Sequence, residues 1–175
     1  MKTRDRLLAV DASAEDWQAS VPEFSYEDVT LMRLIRVASQ SITAFTDPLL
    51  RPSGLTESSY HTLIVVLANG DRGTTPSALC EQVGQNRANM TRILNVLETE
   101  GQVQIKADPH DARRRQVVIT PAGRALVRSH AQAFQPIVAT AFSALDANEK
   151  QAFEQMLRRL VVSMDQAEQV VARQR

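Results

Sequence analysis

One cysteine in 175 residues, Cys80, excludes an intramolecular disulfide framework. Glycine is scarce and aliphatic side chains dominate the apolar content, a balance that fits a mostly helical chain. No apolar run is long enough to cross a membrane. Leu7 to Val10 is too short for a signal core, and Asp11, Glu15 and Asp16 follow it, so the chain is expected to work in the cytoplasm. Net charge is also missing: 20 Lys+Arg balance 20 Asp+Glu, which argues against a polyanion binder with a uniformly basic surface. There is no nucleophile elbow, phosphate loop or pair of acids at motif spacing, so no catalytic residue and no cofactor are expected. His61, His110 and His130 stand far apart, none with a second ligand at metal-binding spacing, so no metal site is expected either. Internal repeats and low-complexity tracts are absent.

What is present is a series of helix starts and stops. Residues 1–22 form a weakly patterned N-terminal arm ended by Pro22, with Trp17 expected to dock part of it on the body. Ser25 caps a helix with Asp28 as reciprocal partner. Its apolar residues recur at helical spacing through Leu31, Leu34, Ile35, Ala38, Ile42 and Phe45. That helix is expected to fade before Pro48. Thr56 caps a second helix, which Asn69-Gly70 ends. Residues 23–70 thus read as a dimerisation and linking segment.

Residues 71–120 read differently. Thr75-Pro76 opens a short helix that Gly84 closes, with proline at its favoured first position. Gln85 or Asn86 caps a longer helix that ends at Gly101. A short helix, a glycine turn and a longer helix make a helix-turn-helix. Val103–Ala107 and Gln116–Ile119 then read as the two strands of a hairpin. Its tip holds His110, Asp111 and three consecutive arginines, Arg113, Arg114 and Arg115. From Gly84 to Arg115 there are six basic residues against four acids, so positive charge is concentrated here although the whole chain is neutral.

Met90, Ile93, Leu94 and Leu97 give the longer helix an inward stripe, and Arg87, Asn89, Arg92 and Asn95 a polar side. Alone, that polar side is an ordinary solvated face. Between a capped short helix and a basic hairpin it is a surface for the major groove, where arginine forks match guanine and asparagine matches adenine. The wing arginines would meet phosphate or enter the minor groove, setting affinity and register more than sequence choice. Asp111 would pair with a neighbouring arginine and shape the tip. The fold expected is mainly α, a winged helix-turn-helix with a small two- or three-stranded wing sheet. Thr120-Pro121 starts a long helix that Pro136 is expected to kink, and Asp146-Ala-Asn-Glu149 a capping box for the last one. These helices, residues 121–175, carry more apolar surface than one small winged helix can cover. Packing across a two-fold axis would bury it.

The reading helix from Asn86-Arg87 to Thr91-Arg-Ile and the wing Asp108-Pro-His-Asp resemble the MarR family of bacterial transcription regulators. Phe24-Ser-Tyr-Glu, Leu31-Met-Arg-Leu and Met164-Asp-Gln-Ala-Glu-Gln169 are similar to its multidrug-efflux repressor branch. One departure stands in the wing. Where the family often has a basic residue directly after the aspartate, this chain has Ala112, with the charge moved to Arg113–Arg115.

The resemblance implies a homodimer on double-stranded, pseudo-palindromic operator DNA. It would repress an efflux operon and its own gene until a small aromatic or weakly acidic lipophilic effector binds between dimer arm and reading lobe. Operator contacts would fall to Gln85, Asn86, Arg87, Asn89, Met90 and Arg92 on the reading helix, and to Thr75, Pro76 and Ser77 on the helix before it. On the wing they would fall to His110, Arg113, Arg114 and Arg115. Tyr60, His61 and Arg36 would line the effector site.

Cys80, in Ser-Ala-Leu-Cys-Glu, leaves a redox-responsive regulator as the alternative. The family's peroxide-sensing branch usually has its cysteine near the start of the first dimerisation helix, and this chain has none there. A reactive thiol needs a lowered pKa, which an adjacent Glu81 opposes. Cys80→Ser is therefore expected to keep full activity. Loss of a peroxide response in that variant would establish the redox reading.

Overall fold

A computed structural model describes residues 3–107 and 114–174. The chain divides into two compact units, Met1–Ala133 and Phe134–Arg175. The first begins with two short helices, α1 (Thr3–Ala12) and α2 (Ala14–Ser20), so the arm is helical rather than irregular. Val10 is buried, and one side chain on the next helix, α3 (Tyr26–Leu50), bonds the arm directly. The Arg33 guanidinium donates to the carbonyls of Ala9 and Val10, both 3.2 Å away, and to Ser13 Oγ at 2.6 Å. Those carbonyls belong to the last turn of α1, where no intrahelical donor remains and a cation is favoured. The same guanidinium lies 6.0 Å from the Trp17 ring centroid, a cation–π contact.

α3 outruns its sequence expectation. It continues through Pro48 to Leu50, and Leu50 is 1% exposed. Burying that leucine anchors the last turn beyond the proline, against the local backbone preference. The cap also differs in detail. Ser25 Oγ accepts from Asp28 N–H at 3.2 Å, but the hydroxyl donates to Glu27 rather than engaging the Asp28 carboxylate.

After a 3₁₀ turn at Arg51–Ser53, α4 (Glu57–Ala68) begins with a full capping box between Thr56 and Ser59. Leu63 and Val66 on α4 are completely buried beneath the reading unit, which comprises α5 (Pro76–Val83) and α6 (Arg87–Thr99). Gly84 joins these two helices at φ +67°, a left-handed conformation that costs glycine no steric penalty.

The wing is strands β1 (Val103–Ala107) and β2 (Arg115–Ile119), antiparallel, with Val103 opposite Ile119 and Ala107 opposite Arg115. Thr74 adds a third, single-residue rung through two backbone bonds with Val117, 3.0 and 2.7 Å long. The wing sheet itself is two-stranded, with this isolated bridge on the outer edge of β2. On the far side of β1, the Glu98 carboxylate of α6 accepts from Ile105 N–H at 3.0 Å.

Beyond β2, α7 (Pro121–Ala141) starts with Thr120 Oγ1 accepting from Gly123 N–H at 3.0 Å. The helix runs through Pro136 without interruption. In the second unit, Asp146 caps α8 (Ala147–Arg173) by the reciprocal box with Glu149. No residue of α8 is buried. Phe142, Leu145, Phe153, Leu157, Val161 and Val162 line an open apolar groove in this unit, edged by Lys150, Glu154 and Arg158.

Wing and α7 meet where a side chain has no room. A Cβ at Gly123 would lie 2.0 Å from the Gln102 carbonyl oxygen. That carbonyl also accepts from Thr120 N–H and from Thr120 Oγ1, both at 3.1 Å. Gly123→Ala must push this turn apart, and we expect it to cost about 3 kcal/mol of folding stability. Urea unfolding measures this directly. An unchanged midpoint would show that the turn can yield.

Candidate nucleic-acid interface

The frame places the start of α6 outward. Asn86 caps the helix, its Oδ1 accepting from Asn89 N–H at 2.9 Å. Four apolar side chains, Met90, Ile93, Leu94 and Leu97, face the core, each 6% exposed or less. Arg87, Arg92 and Asn95 face solvent. This burial corrects one sequence expectation. Met90 is 1% exposed and belongs to the core, so it is not offered to a groove. From the sequence, Met90 is expected both on the inward stripe and at the groove, and its burial keeps only the first.

Polar side chains around the cap form a chain of hydrogen bonds. Gln85 Nε2 donates to Ser58 Oγ on α4 at 3.3 Å, and Asn89 Nδ2 donates to Gln85 Oε1. Arg92 donates to Asn89 Oδ1 at 2.9 Å. Ser58 has no place in the sequence reading, because 27 positions separate it from Gln85.

On α5, Thr75 Oγ1 accepts from Ala78 N–H at 3.2 Å, Pro76 holds the first turn, and Ser77 is exposed. Cys80 is half-buried on the same helix. Arg114 and Arg115 are exposed at the entry to β2. His110, Asp111 and Arg113 lie outside the described residues.

Of the three residues expected at an effector site, His61 and Arg36 are exposed. Tyr60 is half-buried, and its ring meets His130 of α7 edge-on, with centroids 5.5 Å apart and planes at 71°. His130 is 7% exposed and lies 3.0 Å from Ser53 Oγ through Nε2. Gly123, Val127 and His130 are buried at spacings of four and three. A histidine on that inward stripe was the available signal for this contact. Burial pushes the Tyr60 hydroxyl pKa up and the His130 pKa down.

Residues 53–114 match the MarR family. Over that segment the chain is similar to MarR-family proteins. The match covers α4, the helix-turn-helix and the first half of the wing, the segment in which Thr75, Gly84 and Asn86 set the geometry described above. Around that segment the likeness is longer. The transcriptional repressor MprA of Escherichia coli K12 is 27% identical over 147 residues, 84% of either chain. A probable transcriptional regulator from Pseudomonas aeruginosa is 27% identical with a TM-score of 0.64, covering 73% of this chain and 93% of that one. The S. aureus MepR–DNA complex shares the fold at a TM-score of 0.69 and 22% identity, covering 81% of this chain and 98% of the other. The proteins named among these relatives are regulators and repressors, not enzymes. Among the described residues no helix is long and apolar enough to cross a membrane, and no group of three potential ligands could hold a metal.

His130 gives the fold a pH-dependent stability. Its folded pKa is lowered from the ordinary 6.5, so the unfolded chain takes up the proton first. The stabilising contribution is complete above about 6.5 and shrinks as pH falls through the folded value. Urea midpoints are expected to drop between neutral and mildly acidic pH, and less in His130→Gln. Equal slopes for the two proteins would assign the dependence to other groups.

Proposed function

We propose that this chain is a dimeric DNA-binding transcription regulator, and specifically a repressor released from its operator by a small molecule. The observation that carries the reading is the exposed start of α6. Arg87 and Arg92 stand there on a helix whose opposite face is fully packed, while Arg114 and Arg115 flank the wing tip. A major groove admits such a helix, and the wing then lies against the neighbouring backbone. Net neutrality fits, since positive charge is needed only where phosphate is met.

A second copy of the chain supplies the other half-site. Exposed apolar residues on α3 (Leu31, Ile35, Ile42) and on α8 (Met156, Val161) are the surfaces it would cover. The two reading helices then stand about one duplex turn apart, ~34 Å, on a pseudo-palindrome. An aromatic or weakly acidic lipophilic effector that prefers another spacing shifts the population off the operator. MprA is named a repressor. By likeness to it, we place this chain in the cytoplasm, acting on its own promoter and on a linked efflux operon.

Fluorescence anisotropy on the chain's own upstream DNA, with salicylate or a phenolic uncoupler titrated in, tests the whole reading. Tight binding that weakens steeply with log salt and is released by the ligand is the expected result. Arg114→Ala is expected to weaken binding to all sequences and lower the salt slope by about one. Arg87→Ala is expected to cost about 1–3 kcal/mol and relax base preference. Unchanged affinity in both variants would overturn the groove assignment.

A further inference from the structure

The hydrogen-bond chain Ser58–Gln85–Asn89–Arg92 has a direction, and that direction follows from its last member. A guanidinium can only donate. The atom of Asn89 that meets Arg92 is therefore the amide oxygen, Oδ1, and Nδ2 points the other way. Nδ2 meets Gln85, so Gln85 presents Oε1 to it and turns Nε2 to Ser58. Every amide orientation in the series is fixed by the arginine at one end, and the hydroxyl at the other accepts what remains.

The consequence concerns which side chain reads a base. Bidentate recognition of adenine needs the oxygen and nitrogen of one asparagine amide aimed together at the base edge. Asn89 is half-buried, and its two polar atoms are held by Gln85 and Arg92, neighbours along its own helix face. Arg92 is exposed and has further N–H groups available, in the planar fork that matches guanine O6 and N7. Ser58 stands on α4, whose Leu63 and Val66 are entirely buried, so the far end of the series is anchored in the core.

We propose that Ser58, Gln85 and Asn89 are positioning residues for Arg92, and that the base read at this point of the groove is a guanine selected by Arg92 rather than an adenine selected by Asn89. The inference rests on the DNA-binding reading and names the specificity of that same site. Losing any positioning residue frees the guanidinium among its rotamers and blurs one base position. Non-specific affinity, which comes from phosphate contacts, is left alone.

The test is selection from a pool of randomised duplexes by the full-length protein, followed by binding measurements on the selected site and its single-base variants. Wild type is expected to select a guanine that Arg92→Ala no longer distinguishes, with a loss of discrimination of roughly tenfold. Asn89→Ala is expected to blur that same base pair and no other, and the double variant to lose no more than Arg92→Ala alone. Ser58→Ala is expected to produce a smaller loss at that base pair, restored by Ser58→Thr, with the melting temperature and the affinity for random DNA unchanged.

Loss of preference at two different base pairs in Asn89→Ala and Arg92→Ala would overturn the proposal while leaving the DNA-binding reading intact. So would additive losses, or selection of an adenine contacted through Asn89. If wild type enriches no sequence and ignores random DNA at low salt, the DNA-binding reading itself fails, and this inference with it.

Discussion

The structure turns on the absence of a side chain at Gly123. The Gln102 carbonyl occupies the space a Cβ would need, and Thr120 donates to that oxygen from its backbone and its hydroxyl. Gln102 N–H in turn donates to Leu97 O at the end of α6, 2.8 Å away. Three elements, the reading helix, the wing and the start of α7, are therefore joined within a few residues. Gln102 Oε1 is buried there without a hydrogen-bond partner. Glu98 on one edge of the wing and Thr74 on the other complete the attachment.

Electrostatics at the interface depend on placement rather than amount. The described ion pairs, Arg51–Asp47, Arg124–Asp71 and Arg158–Glu154, are all at least partly exposed and contribute little to stability. Arg33 works differently. It spends its guanidinium on backbone carbonyls and an indole face, which a lysine could not do with the same geometry. Stability comes mainly from the apolar centre beneath the reading unit. That leaves the cations of α6 and the wing unpaired by acids among the described ion pairs.

Much of this was legible in the sequence, because local chemistry and tertiary structure agree across residues 56–123. Thr56, Thr75 and Asn86 read as helix starts and cap as expected, while Gly84 and Gly101 end their helices with positive φ. The misreadings share a cause: the deciding partner is remote in sequence or carries no pattern. Pro48 looked like a terminus because the burial of Leu50 is a tertiary event. The arm read as weakly patterned because a contact that holds it comes from Arg33, 20 or more residues away. The third wing rung rests on Thr74, a single residue without a strand signature. His130 was weighed as a metal ligand and set aside, and its contact with Ser53 spans 77 positions. At the reading helix the sequence showed which residues stand on the polar side. It did not show that they are bonded to one another.

α8 carries a consequence of its own. A helix of 27 residues with no buried side chain, exposing Phe153, Met156, Val161 and Val170, gains almost nothing from packing within its own chain. Helices in water owe most of their stability to such packing. If a second copy supplies it, folding and association become one equilibrium, and the persistence of this element scales with protein concentration. On the proposed reading, such a regulator would measure its own abundance: diluted copies would lose the helix that pairs them before they lose the segment that meets DNA.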